Sequence, residues 1–565
     1  PGRSARFGRP GGAARPGAAR PGRARPGGPQ VVQGALHGLE GPPVVEESGV
    51  GLVDEAERLL HVVLVDGTHD RGRRPVAVAG QQGEEGAQGP RVQRGVGAVA
   101  VLGAVGGRQD AVRLVVPDRL RGQTVPAGQI DRPEPFRTLK VSPHGVQAIA
   151  ALSRKSFHRR FNDTVDGMAT EIKDAARAVE AAAVLELLPN RPRVLALGEP
   201  THGEDSLLEV RNTLFRQLVE QEGYRTIALE SDCLRGLAVD DHGTAGTGTL
   251  DAVMEHGFSH DRGASAANRA LVRWIRAHND GRPASEQVRF AGIDGPLEIT
   301  GPESPRQALT ALHGYLAAHG DADLLPCTAE ALDTLLGADD RWTHPDAMLD
   351  PARSFGRSAE AGELRLLADD LVALLDEQTP QLIAATSRDD WDRARLYARS
   401  ATGLLRYHSS MADTSPNRMT RLVALRDAMM AENLLALAER GPVLVHAHNS
   451  HLQRAKSTMR MWQGQVEWWS AGALAQVRLG AEYAVLATAL GTIRHQGVDT
   501  PPPDTLEGLL YALPQAPCVV DPATLATALG EPRPAPRVSP WFGYAPLAPD
   551  QLGEMDGVVF VRDAE

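Results

Sequence analysis

The sequence predicts an α/β fold, a mainly parallel sheet flanked by helices, with a helical subdomain and a disordered N-terminal extension. Three observations carry this prediction. Short apolar runs, such as Val194–Leu197, Thr226–Leu229 and Pro442–His446, alternate with stretches of helical spacing, the pattern of a parallel sheet with right-handed crossovers. Each run ends in an acid or a histidine. All seven Trp, all seven Tyr and all three Cys lie at or after Tyr224, so the core belongs to the C-terminal part of the 565 residues.

Residues 1–167 form the extension. They open on a Gly/Pro/Arg tract that cannot bury enough surface to offset its conformational entropy. This part carries 24 basic against 16 acidic residues, whereas residues 168–565 carry 36 against 55. Valine-rich pieces at His61–Gly67 and Gly97–Gly107 have strand composition but lack aromatics. The extension is expected to carry no catalytic role and reads as an upstream region translated in error. Met168 then opens an ordinary helix, Ala169–Leu188, ahead of the first strand.

Residues 168–565 are expected to form the folded domain proper. Val194–Leu197 reads as a strand buried on both faces, Gly198 ends it, and Glu199 and His202 follow on a tight loop. Glu204–Glu222 has amphipathic helical spacing, with Leu207, Leu214, Phe215 and Leu218 toward the sheet, Arg211 toward its outer or front side, and Gly223 as C-cap. Thr226–Leu229 is a strand that delivers Glu230. Asp240–Gly263, rich in Gly, Thr and His, reads as a long front-face loop. Asn268–Asn279 is a helix, and Val288–Ile293 a strand ending in Asp294. Residues 305–440 are mostly helical and too long for a crossover, so they form a helical layer or cap. Its last helix places Arg426, Met430 and Asn433 on one stripe. Pro442–His446 is a strand emptying into HAHNSHL, and Tyr483–Leu490 and Gly557–Val561 are two more.

In a parallel sheet these strand ends share one edge. Glu199, His202, Glu230, Asp294, His446, His448 and His451 therefore converge from segments far apart in sequence. A carboxylate beside a histidine fixes the imidazole tautomer and raises its basicity, so that it activates water; a second His or an Arg polarises a carbonyl or stabilises an oxyanion. That set suits hydrolysis of an ester or lactone. No G-x-S-x-G elbow appears. Glu199, His202, Glu230 and His448 are also competent metal ligands, although there is no H-E-x-x-H motif. Taken singly, each residue has a structural reading: a loop fastener, a helix cap, or a buried salt bridge in the case of Arg426 and Asp427.

The acidic body argues against nucleic-acid binding. Three widely spaced Cys suit a reducing cytosol, and no apolar run reaches the length of a membrane span. The expectation is a cytoplasmic protein acting on a small molecule without a cofactor.

LGEPTHGE, the helix bearing Arg211, ALES, GID, RDAMMAEN and HAHNSHL stand in an order that resembles the erythromycin esterase family. The resemblance implies metal-independent hydrolysis of a macrolide lactone, and with it an antibiotic-resistance role. It makes His202 the general base, with Glu199 and Glu230 positioning it and Arg211 and His448 completing the site. Asp294, Arg426, Asn449 and His451 are the expected substrate contacts. Two alternatives stay open: a metal-dependent hydrolase of another ester or amide, and a non-catalytic small-molecule binding protein with the same pocket.

Overall fold

The computed structural model describes residues 112–116, 137–141, 172–298, 301–461 and 464–564. The chain divides into two compact units, Pro1–Ser156 and Phe157–Glu565. In the first, Val112–Val116 pairs antiparallel with Arg137–Val141. The rest of the disordered-extension reading, including both valine-rich pieces, lies outside the described residues.

The second unit is built on an eight-stranded sheet: β1 (Arg177–Ala178), β2 (Val194–Glu199), β3 (Thr226–Asp232), β4 (Arg289–Asp294), β5 (Val443–His448), β6 (Tyr483–Thr492), β7 (Cys518–Val520) and β8 (Gly557–Asp563). Their spatial order is β1-β7-β8-β6-β2-β5-β3-β4. From β8 to β4 every pair is parallel, while β7 runs antiparallel to both neighbours. All six residues of β2 are buried, as its continuous apolar pattern requires of a strand covered on both faces.

Helices α1 (Ala181–Leu187), α2 (Asp205–Glu222), α3 (Gly236–Ala245), α4 (Leu250–His256) and α5 (Ala266–Asn279) connect the first strands. On α2, Leu207, Leu214, Phe215 and Leu218 are buried, and Gly223 closes the helix at φ 77°, which lets the Tyr224 N–H reach the Leu218 carbonyl at 3.2 Å. Burying each such side chain stabilises by about 1.5–3 kcal/mol. The helical layer comprises α6 (Arg306–His319), α7 (Ala329–Leu336), α8 (Ala359–Glu377), α9 (Thr379–Ala385), α10 (Arg388–Met411) and α11 (Arg418–Ala438). It has its own core, including Leu309, Leu316, Leu364, Leu371 and Leu405. Helix α11 reaches the sheet, where the Asn433 amide donates to the Ile293 carbonyl at 3.0 Å.

Three expectations are corrected. The Ala169–Leu188 helix is interrupted: Arg177 and Ala178 pair with Val519 and Cys518 as an edge strand, a tertiary pairing that overrides local helix propensity. The Asp240–Gly263 loop contains helix. Gly246 at φ 72° caps the end of α3, and Thr249 accepts the Ala252 N–H at the start of α4. Arg211 does not face outward but is fully buried.

The small helix α12 (Asn449–Leu452) follows β5 directly. The Asn449 amide accepts from the Thr488 N–H at 3.1 Å and donates to the Thr488 carbonyl at 3.0 Å, fastening the end of β5 to β6 over β2. Gly198 makes room for it, since a Cβ there would lie 2.1 Å from Asn449 Oδ1. Gly198→Ala is therefore expected to lower stability by about 1–3 kcal/mol through overpacking, read as a reduced urea midpoint with an unchanged m-value.

Candidate active site

The parallel register sets Glu199 beside His448 and Leu229 beside His446. The chain thus delivers its acids and imidazoles to one edge of the sheet. Glu199, the last residue of β2, is completely buried, as is Asp294 at the end of β4.

His202 Nδ1 lies 2.8 Å from Glu199 Oε1. Burial alone would raise the Glu199 carboxyl, but the His446 and His202 imidazoles and the Arg262 guanidinium hold it far below the usual carboxylate range. An ionised carboxylate only accepts, so the proton between the two sits on Nδ1. Nε2 then points toward Glu230, 3.7 Å away, on a ring whose side chain is 48% exposed. Arg262, itself buried, donates to Glu199 Oε1 at 3.2 Å and stands 3.6 Å from Glu230 Oε2. Its second nitrogen is 3.1 Å from His202 Nδ1; that atom already carries the hydrogen given to Glu199, so Arg262 braces the pair rather than donating to the ring.

Glu230 accepts from Arg426 at 2.9 Å and from the His448 N–H at 2.8 Å. Burial disfavours its charge, but His202, His451, Arg426 and Arg262 together bring its carboxyl well below the ordinary value. Arg426, from α11, also forks onto both oxygens of Asp294, at 3.1 and 3.0 Å through Nε and 2.7 Å through Nη2. Such planar bidentate pairing suits a guanidinium. His451 gives Nδ1–H to Asp427 at 2.6 Å, and Asp427 also accepts from the Trp468 indole at 2.9 Å. Against the effect of burial, Asp427 and Glu230 raise the His451 pKa.

His448 is differently placed. Its Nδ1 accepts the Ser450 N–H at 3.2 Å, capping α12, and Nε2 lies 3.3 Å from the Pro200 carbonyl. Burial and the neighbouring His202 push it down to about 3, so it is neutral at pH 7. Its ring meets that of His202 edge to face, with centroids 5.3 Å apart. Arg211 stands behind the site, donating to Asn212 and Asn268 at 2.8 Å each, and burial lowers its pKa to about 9. The structure therefore brings Glu199, His202, Glu230, His448, Asp294, Arg426 and His451 together. It sets Arg211 a layer back and spends the Asn449 amide on the sheet.

Arg262 was not legible in the sequence. It follows His260 and Asp261, both at φ 55°, a left-handed pair of non-glycine residues that no residue pattern announces. Asn268 then holds the Arg262 carbonyl at 2.9 Å. Among the described residues, no group of three or more His, Cys, Asp or Glu side chains has the geometry to hold a metal ion; the buried carboxylates are instead paired with arginines. A groove of about 570 Å³ begins at Gly203, the residue after His202, and continues along Glu204, Asp205, Arg494, His495 and Ala564.

A profile described as erythromycin esterase matches residues 219–563, more than half of the chain. The chain belongs to the erythromycin esterase family. The matched span contains Glu230, Arg262, Asp294, Arg426, His448 and His451; Glu199, His202 and Arg211 precede it. An erythromycin esterase type II of Escherichia coli is 28% identical over 106 residues, 18% of this chain and 24% of that protein. The match thus spans about a quarter of that relative's length. A solved Bacillus cereus protein superposes with a TM-score of 0.54 at 17% identity, over 71% of this chain and 97% of that one. A succinoglycan biosynthesis protein superposes at 0.52 with 15% identity, over 70% and 97%. These structural likenesses speak to the fold alone, whereas membership of the family supports a hydrolase role. Among the described residues, no helix is long and apolar enough to cross a membrane.

Two outcomes follow from the charges at this edge. Arg426→Met leaves Glu230 and Asp294 buried without their main cation and should destabilise by about 3–5 kcal/mol, measured by chemical denaturation. Acidification should also lower the melting temperature between pH 6.5 and 4.5. Burial holds His446 and His448 at about 3 and His408 at about 4 in the folded state, so over this window the unfolded chain binds more protons at all three. Asp232, which burial raises to about 6, and the raised His451 oppose the trend without reversing it; thermal melts across the window check the sign.

Proposed function

We propose that this protein hydrolyses the ester bond of a macrolide or related lactone in the cytoplasm, with His202 as the base that activates water. The observation that carries the reading is the His202–Glu199 pair: Nδ1–H bound to a buried carboxylate at 2.8 Å, on a half-exposed ring whose opposite nitrogen is turned toward Glu230 at 3.7 Å. Water adds through oxygen to the ester carbonyl carbon and gives a proton to Nε2. The imidazolium so formed lies between Glu199 and Glu230, which stabilise its charge. The tetrahedral intermediate then breaks its bond to the alcohol oxygen, which takes the proton back from Nε2, leaving a carboxylic acid and an alcohol.

In this reading His448 serves as a neutral donor. Its Nε2–H, held only at 3.3 Å by the Pro200 carbonyl, turns to the carbonyl oxygen as charge develops there. A neutral imidazole can fill that electrophilic role at pH 7. Arg426, Asp294 and His451 hold Glu230 in place, and Arg262 takes the site-facing role that Arg211, a layer behind, is too deep to fill.

The test is incubation with erythromycin and detection by mass spectrometry of a product heavier by one water. His202→Ala should lower kcat by about 10²–10⁴-fold, and Glu230→Gln should lower kcat rather than affinity alone. The rate should survive exhaustive chelation. No turnover by the unsubstituted protein, or turnover that His202→Ala leaves intact, refutes the reading.

A further inference from the structure

Glu199 uses only one of its oxygens. Oε1 takes His202 and Arg262, whereas Oε2 is buried and has no hydrogen-bond partner in the protein. His446 Nε2 is 3.7 Å from it, too far for a direct hydrogen bond. His446 sits on β5 with 2% exposure, and its Nδ1 is likewise buried without a partner. An ionised carboxylate oxygen left bare in a core is more destabilising than an unpaired neutral group. A separation beyond about 3.5 Å between two buried polar groups raises the question of a bridging water.

The space for one is there. A small cavity of about 10 Å³ is lined by Glu199, His446 and Thr488, with Leu197, Leu207 and Val559 among its apolar walls. That is about the volume one water needs, and a buried water typically takes three hydrogen bonds. We propose that one internal water occupies this cavity, donating to Glu199 Oε2 and accepting from His446 Nε2–H, with the Thr488 hydroxyl as third partner. His446 is then a positioning residue, acting on His202 through the water and Glu199.

The tautomer follows from the same geometry. A neutral imidazole has one N–H. On Nε2 it meets the water; on Nδ1 it would be a buried donor with nothing to bond, the rarer defect in proteins. With Oε2 anchored, the carboxylate cannot rotate about its last torsion, and Oε1 stays on His202 Nδ1. The groups facing Glu199 are then His202, Arg262 and His446, with Arg211 behind. Those facing His202 are Glu199, Glu230, Arg262 and His448. None of these other charges changes when His446 is replaced, so a shift in the pH profile reports the anchor. This water is separate from the one that attacks the ester, and the role given to His446 rests on the proposed function, whereas the hydration site does not.

The experiment has two arms. A crystal structure of the full chain at high resolution should show density for a water within hydrogen-bond distance of Glu199 Oε2 and His446 Nε2; a well-ordered cavity without it overturns the proposal whatever the enzyme does. In the second arm, His446→Phe should lower kcat on erythromycin by about 10–100-fold, the effect of a small misplacement of a catalytic group. KM should change little, and the acid limb of the kcat/KM profile should shift. His446→Gln, which keeps a donor, should recover most of the rate. Wild-type kcat and pH profile in a folded His446→Phe overturn the positioning role. If that variant does not fold, Thr488→Val takes its place: a weakened water and reduced kcat support the role, and an unchanged kcat overturns it. If the unsubstituted protein hydrolyses nothing, the proposed function falls and the crystallographic arm alone decides the hydration site.

Discussion

Carboxylates packed into the carboxyl edge of a parallel sheet must be neutralised by protons or by cations. Here Glu199, Glu230 and Asp294 stand at the ends of β2, β3 and β4, each essentially out of solvent, and the chain meets the demand with guanidinium groups. Arg262 bears on Glu199 and Glu230, and Arg426 on Glu230 and Asp294. Glu230 is the shared member. With Glu199 ionised, His202 has a fixed tautomer, and His448 is set by the backbone N–H that Glu230 accepts. The chemistry of the edge depends on charge balance before it depends on any one catalytic group.

That balance explains why the helical layer is more than a cover. Helix α11 carries Arg426, Asp427 and Asn433 within two turns, and each serves a different structure: the carboxylates of β3 and β4, the imidazole after β5, and the backbone of β4. The arginines elsewhere between layers, Arg289 with Asp240 and Asp389, and Arg393 with Asp241, are more exposed and weaker individually.

Much of this was readable from residue order. Buried parallel strands show as unbroken apolar runs, and the acids and histidines that end those runs must share an edge, so Glu199, Glu230, Asp294 and His448 could be named without coordinates. Helix α11 announced Arg426 by its stripe. What could not be read depends on contacts between distant segments. Arg262 enters on a left-handed turn with no glycine to mark it. Arg211 looked like a front-face residue because helical spacing cannot show that α5 covers it with Asn268. The Gly- and Thr-rich stretch before it disguised α3, since Gly243 packs on Ile275, a tertiary reason for a glycine that composition presents as a loop signal. His446 stood among three histidines, and only the register separates it from the others by turning it into the sheet.

Arg426 belongs to the helical layer while its partners belong to the sheet. The carboxylates it pairs, Glu230 and Asp294, are therefore held in fixed geometry and out of water only while the two layers are docked. Any excursion that lifts α11 away hands both acids to solvent, and the His202 imidazole beside Glu230 loses the fixed field around it. The competent edge and the docked state are in this sense one thermodynamic species.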